Sequence, residues 1–199
     1  MPSPAPRLYL ITPHEGDPLP RVAAALAALP AGVAAIQLRQ PLPARELLQR
    51  AVALRQICER HAASLFVNDR ADVAFAAGCG VHLPSRGLAV ADARSFGLAV
   101  AQSIHSPGEA AQSSADFVVF APVFDTPGKN AQGLAALRET CRASVAAVLA
   151  LGGVDERNAR SCIEAGAAGV ACIRSVLGAR DPAAAARRLW EAVQAGAPT

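Results

Sequence analysis

Nineteen residues of this 199-residue chain are Lys or Arg, and a single one of them, Lys129, is lysine. It stands in a Pro/Gly-rich stretch, Thr126-Pro-Gly-Lys129. An ammonium is a compact point charge on a mobile stem, suited to a phosphate oxygen. Gln37 and Arg39 are two apart in Ile36-Gln-Leu-Arg-Gln40, so on an extended chain both project to one side. Two long polar side chains have no place in a dry core. The pair reads as substrate-facing, with Arg39 offering its planar fork to a carboxylate or phosphate, or else as an arginine held in a structural ion pair. Ser103-Ile-His-Ser106 repeats the spacing with Ser103 and His105, and an imidazole titrates close enough to neutrality to give and take protons. Asn68 can read a ring or an amide. Asp69 after it can hold Mg2+, pair with an arginine, or simply cap a helix. Gly152-Gly153 and Arg174 complete the set; bare glycine N–H groups ahead of a helix suit a phosphate.

Nearly all of these residues close or follow short apolar runs. The runs are Leu8–Thr12, Ala35–Arg39, Ser64–Val67, Gly80–Leu83, Leu98–Ser103, Phe117–Val123, Ala147–Leu151 and Gly169–Ile173. Most are apolar enough for strands buried on both faces. Between them lie stretches of helical spacing. Arg45 to Arg60 is the clearest, with Leu47, Leu48, Val52, Leu54, Ile57 and Cys58 toward one side. Asp155 reads as an N-cap and Gly166 as the stop of a later helix; Asp181-Pro182 opens the last one. Strand starts are roughly 16 to 30 residues apart, enough for parallel crossovers. Eight such units in one short chain predict an α/β fold, a single (β/α)8 TIM barrel over residues 1–199, with an open doubly wound sheet as the alternative. In such a barrel the active site lies at the C-terminal ends of the strands, where the polar residues above are found.

Composition excludes several classes. The formal net charge of +3 is too small to argue for nucleic acid or an anionic membrane. The apolar stretch from Val22 to Ile36 is broken by Pro30 and Gly32 and does not span a bilayer. Cys58, Cys79, Cys141, Cys162 and Cys172 form no C-x-x-C pair, so the expectation is idle reduced thiols, no metal site and a cytoplasmic protein.

Taken in order, Leu8-Tyr-Leu-Ile-Thr, Ile36-Gln-Leu-Arg, Val67-Asn-Asp-Arg, Gly80-Val-His-Leu, Ser103-Ile-His-Ser, Pro122-Val-Phe-Asp-Thr, Lys129 and Ala150-Leu-Gly-Gly-Val resemble the thiamine phosphate synthase/TenI superfamily over nearly the whole chain. The resemblance implies a small-molecule partner, a phosphorylated thiazole, with a pyrimidine diphosphate added for a synthase, and a homodimer by analogy. It implies either the synthase, which couples hydroxymethylpyrimidine diphosphate to thiazole phosphate and uses Mg2+, or a TenI-type thiazole tautomerase, which needs no cofactor. The chain departs from the synthase pattern. No lysine follows Arg39, Gly87 stands where a second Mg2+ carboxylate is expected, with Arg86 beside it, and Arg174 replaces a serine. The Leu83-Pro84 turn and Ser103-Ile-His-Ser106 resemble the TenI side. The expected function is therefore a thiazole tautomerase. His105 would be its acid/base, Lys129, Gly152 and Gly153 would hold the phosphate, and Arg39 would orient the carboxylate. The synthase is the alternative, with Arg86 meeting the diphosphate. A non-catalytic phosphate-binding barrel is a third reading. A fourth reading, a sugar-phosphate epimerase, would need a paired Asp and metal-binding His set that this chain lacks.

Overall fold

Inward and outward side chains alternate along the strands of this chain, and most of both sets are buried. The computed structural model describes residues 5–197. Its strands are β1 (Leu8–Ile11), β2 (Ala34–Leu38), β3 (Ser64–Asn68), β4 (Gly80–Leu83), β5 (Val100–Ile104), β6 (Phe117–Phe120), β7 (Ala147–Ala150) and β8 (Gly169–Cys172). Each is followed by a helix: α1 (Leu19–Ala27), α2 (Ala44–Arg60), α3 (Ala71–Ala77), α4 (Val90–Ser95), α5 (Pro107–Gln112), α6 (Gly133–Ala143), α7 (Ala159–Glu164) and α8 (Pro182–Ala195). The strands pair in parallel in sequence order, and β1 pairs with β8 to close the barrel. The structure is a (β/α)8 TIM barrel.

Closure splits the core in two. Leu8, Leu10, Ile36, Leu38, Leu65, Val67 and Val170 face outward, against the helices. Tyr9, Ile11, Ala35, Phe66, Ala101, Phe117, Val119, Leu149 and Ala171 fill the inside. Three rings form the interior floor edge to face: Tyr9 to Phe66 at 5.9 Å, Tyr9 to Phe117 at 5.2 Å and Phe66 to Phe117 at 5.2 Å. Small neighbours make room for them. A Cβ on Gly80 would lie 2.5 Å from the Phe66 ring, which is why β4 starts with glycine. Edge-to-face pairs of this kind add about 0.5–1.5 kcal/mol each beyond area burial.

All eight expected strands are present; β4 keeps its expected bounds and the other seven have shifted ends. β6 stops at Phe120 rather than Val123, because Pro122 has no N–H to give a ladder. β5 runs Val100–Ile104, two residues later at its start than expected. In α2, Val52 is 42% exposed rather than core-facing. Asp155 does not cap α7. That helix starts at Ala159, and the Asp155 carboxylate instead accepts from the backbone N–H and the guanidinium of Arg157. Gly166 does follow the end of α7 with φ +104°, and the Asp181 carboxylate caps α8 by accepting from the Ala184 N–H at 3.0 Å. The five cysteines are free, and burial raises every thiol pKa, Cys58 and Cys162 to about 12 and Cys79, Cys141 and Cys172 to about 11. No helix is long and apolar enough to cross a membrane among the described residues.

Candidate functional site

The inward face of each strand changes character toward its C-terminal end. On β2 the sequence Ala35, Gln37, Arg39 climbs from floor to mouth; on β3 it is Phe66, Asn68; on β4 Gly80, His82; on β5 Ala101, Ser103, His105. A period of two puts each series on one face. The polar ends open into a cavity of about 870 Å³. Gln37, Arg39, Asn68, Ser103, His105, Thr126, Lys129, Gly152, Gly153 and Arg174 all line it, so ten of the expected site residues are brought together.

Asp69 is the exception. Its φ is +62°, and the Arg70 N–H bonds back to the Asn68 carbonyl at 2.8 Å. This tight turn leaves Asp69 outside the cavity wall, and its side chain does not cap α3. Instead Asp69 Oδ1 lies 3.1 Å from where a Cβ on Gly87 would stand. A carboxylate at position 87 would therefore meet Asp69, and glycine supplies none. Arg86 is not in the cavity wall either. Among the described residues no group of three or more His, Cys, Asp or Glu is placed to hold a metal ion. The paired carboxylates that would seat Mg2+ are not built here.

Charge in the cavity is one-sided. Arg39, Lys129 and Arg174 take part in no ion pair among the described residues. Asp155 is the one carboxylate in the wall, and it is engaged by Arg157, whose hydrogen bond holds its pKa below the usual carboxylate range. Lys129 is exposed at the end of a four-residue turn closed by the Thr126 and Lys129 backbones at 3.1 and 2.9 Å. Gly152 and Gly153 are needed for packing as well as access. A Cβ on Gly152 would lie 2.6 Å from Pro122 Cα, and one on Gly153 2.7 Å from Phe124 Cβ.

His105 is oriented from two sides. Its Nδ1 lies 2.8 Å from the Ala121 carbonyl, which can only accept, so the ring proton sits on Nδ1 and Nε2 is the free basic nitrogen. Its backbone N–H donates to Glu109 Oε2 at 2.7 Å, while Ser106 Oγ accepts from the Glu109 N–H at 3.2 Å. Ser106 thus caps α5 through its side chain, the first half of a Ser-x-x-Glu capping box readable in Ser106-Pro-Gly-Glu109, while the Glu109 carboxylate reaches one residue further back and holds the His105 N–H.

Sequence reasoning missed three further residues. His82 lines the cavity at 3% exposure. Burial, aided by the Arg39 charge, lowers its pKa to about 3, so the ring is neutral. It lies 3.2 Å from the Tyr9 hydroxyl and 2.8 Å from Ser103 Oγ. Thr12, fully buried, accepts from the Arg39 N–H at 2.8 Å and fixes the end of β2. His14 lines the mouth from the β1–α1 loop, whose Gly16 carbonyl accepts from Gln40 and Arg50, each at 3.0 Å. Gln37 Nε2 donates to Asn68 Oδ1 at 2.9 Å, so the two are bound as a unit.

A family model for thiamine monophosphate synthase (TMP-TENI) matches residues 8–176. The chain is 42% identical over 176 residues to a thiamine-phosphate synthase of Methanoculleus marisnigri, covering 82% of this chain and 83% of that one. It is 40% identical over 190 residues to a thiamine-phosphate synthase of Gloeobacter violaceus, covering 89% of this chain and 54% of that longer protein. Among solved structures, a thiamine phosphate pyrophosphorylase from Pyrococcus furiosus superposes with a TM-score of 0.84 at 30% identity, over 94% of this chain and 95% of that one. With the barrel closed, its polar mouth assembled and the match running from the first strand past the last, the chain belongs to the thiamine monophosphate synthase/TenI family of thiamine-biosynthetic enzymes.

Proposed function

We propose that this protein, as one barrel domain over residues 1–199, is a thiamine-phosphate synthase. The reaction joins the thiazole ring nitrogen of thiazole phosphate to the methylene carbon of hydroxymethylpyrimidine diphosphate. The new C–N bond forms as the C–O bond to the diphosphate breaks, and pyrophosphate leaves with the bonding pair. The observation that carries this reading is the surplus of cations, Arg39, Lys129 and Arg174, that form no ion pair among the described residues, around a cavity whose one carboxylate is already neutralised. A ligand set with several phosphate charges matches it. The names of the relatives also favour the synthase over the tautomerase that the sequence placed first. Lys129 and Arg174, beside the Gly152-Gly153 turn, hold the thiazole phosphate. Arg39 faces the diphosphate, and the joined Gln37 and Asn68 amides read the pyrimidine. His105 Nε2 accepts a hydrogen bond at the mouth. The single carboxylate at Asp69, facing Gly87, favours a second reading, the tautomerase, in which His105 moves the proton and no metal is used.

The test is formation of thiamine phosphate from both substrates, with Mg2+ and with the metal chelated. Product above background establishes the synthase. Lys129→Ala should then raise KM for a phosphorylated substrate by roughly tenfold or more, the worth of a charge-assisted hydrogen bond. No product beside a working control enzyme retires the synthase, and isomerisation of the carboxythiazole phosphate becomes the measurement.

A further inference from the structure

Tyr9 is fully buried and sits edge to face against Phe66 and Phe117. The polar atom its hydroxyl reaches is His82 Nδ1 at 3.2 Å. Burial raises the Tyr9 pKa well above its ordinary value, so the phenol keeps its proton. A neutral His82 carries one N–H. If that proton sat on Nδ1, the phenol proton would face an aromatic floor with no acceptor among the described residues, which a buried donor pays for in full. If it sits on Nε2, every group is satisfied. The phenol donates to Nδ1, and Nε2–H donates to Ser103 Oγ at 2.8 Å. Ser103 has then received its hydrogen bond from below, and its own proton is free for the cavity it lines.

We propose that Tyr9 is a positioning residue which, through His82, fixes Ser103 as a hydrogen-bond donor to the ligand. The subsite at Ser103 therefore selects an unprotonated acceptor atom, a bare ring nitrogen or an oxygen lone pair, over an N–H at the same place. An N–H there would meet the Ser103 proton donor to donor. The inference rests on the cavity being the substrate site, and it holds for either reaction of the family.

The first arm of the test needs no turnover. In full-length protein labelled with 15N-histidine, nitrogen NMR reads which ring nitrogen holds the proton, with His82 assigned by its loss in His82→Gln. The expected spectrum without ligand shows His82 as one tautomer, protonated at Nε2, and Tyr9→Phe shows a mixture of tautomers. The second arm is kinetic. Tyr9→Phe should raise KM roughly tenfold with kcat little changed, the scale of one hydrogen bond. Added to Ser103→Ala, it should change nothing more. A proton on Nδ1 in the wild-type protein, or full additivity of the two substitutions, overturns the proposal. If neither family reaction is found, the NMR arm still decides it.

Discussion

His82 ties the stability of the barrel to pH. Folded, its pKa is about 3; unfolded, it returns to the ordinary value near about 6.5. Between these limits the unfolded chain binds the extra proton, so stability is complete above the upper limit and is lost as pH falls. From this group alone the loss between pH 7 and pH 4 is about 3 kcal/mol. Urea unfolding of wild type and His82→Gln at pH 7, 5.5 and 4 measures it. The stability gap between the two should shrink toward acid, and parallel pH curves would remove His82 as the cause. At this scale the sequence was uneven. Gln37 and Arg39 were readable because two polar residues at a spacing of two interrupt an apolar strand. His82 was not, because Gly80-Val-His-Leu83 shows one polar residue whose partners, Tyr9 and Ser103, come from other strands. Asp69 was legible as a carboxylate after a strand, but its positive φ and the turn that aims it at Gly87 leave no mark in composition.

Among the elements, the turn after β7 sets the shape of the phosphate end. Gly152 has φ +98°, and a Cβ there would collide with the backbone of Pro122 at 2.6 Å. Gly152→Ala adds backbone strain to that clash and should cost about 2–3 kcal/mol, a fall in melting temperature of roughly 5–10 °C for a chain of this size. Gly16, at φ +82° with nothing within 4 Å of its Cβ position, is the control. Gly16→Ala carries the strain without the collision and should cost about 1 kcal/mol. Equal losses in the two variants would show that the contact with Pro122 is not what matters. Strand and helix order could be read directly, because alternating periods of two and 3.6 survive in the sequence. Ends could not, as Asp155 shows. Its residue type suits a cap, yet the nearby Arg157 claims its carboxylate and α7 begins later.

For the whole molecule, the first and last units hold one another. α1 packs on α8, and the Arg21 guanidinium donates to the Leu177 and Ala179 carbonyls at 3.2 and 2.8 Å. α8 buries Ala185, Ala186, Leu189 and Val193. Leu189 and Val193 alone contribute about 1.5–3 kcal/mol each by burial, a large part of a net stability of about 5–15 kcal/mol. A chain ending before Pro182 should lose its cooperative thermal transition by circular dichroism. A sharp transition within a few degrees of the full chain would mean that the ring of strands stands without its last helix.

The seam between β1 and β8 also sets a timetable. Leu8 bonds alongside Ala34 and Val170, and the second partner lies 162 residues further along the chain. During synthesis, β1 can find β2 early, but its other edge has no mate until the eighth strand has left the ribosome. Until then two strand edges stay open to wrong partners. The contact is about as non-local as this chain allows, and such contacts slow folding. The interval before β8 docks on β1 is thus the one in which unpaired strand edges leave the folding chain most open to aggregation.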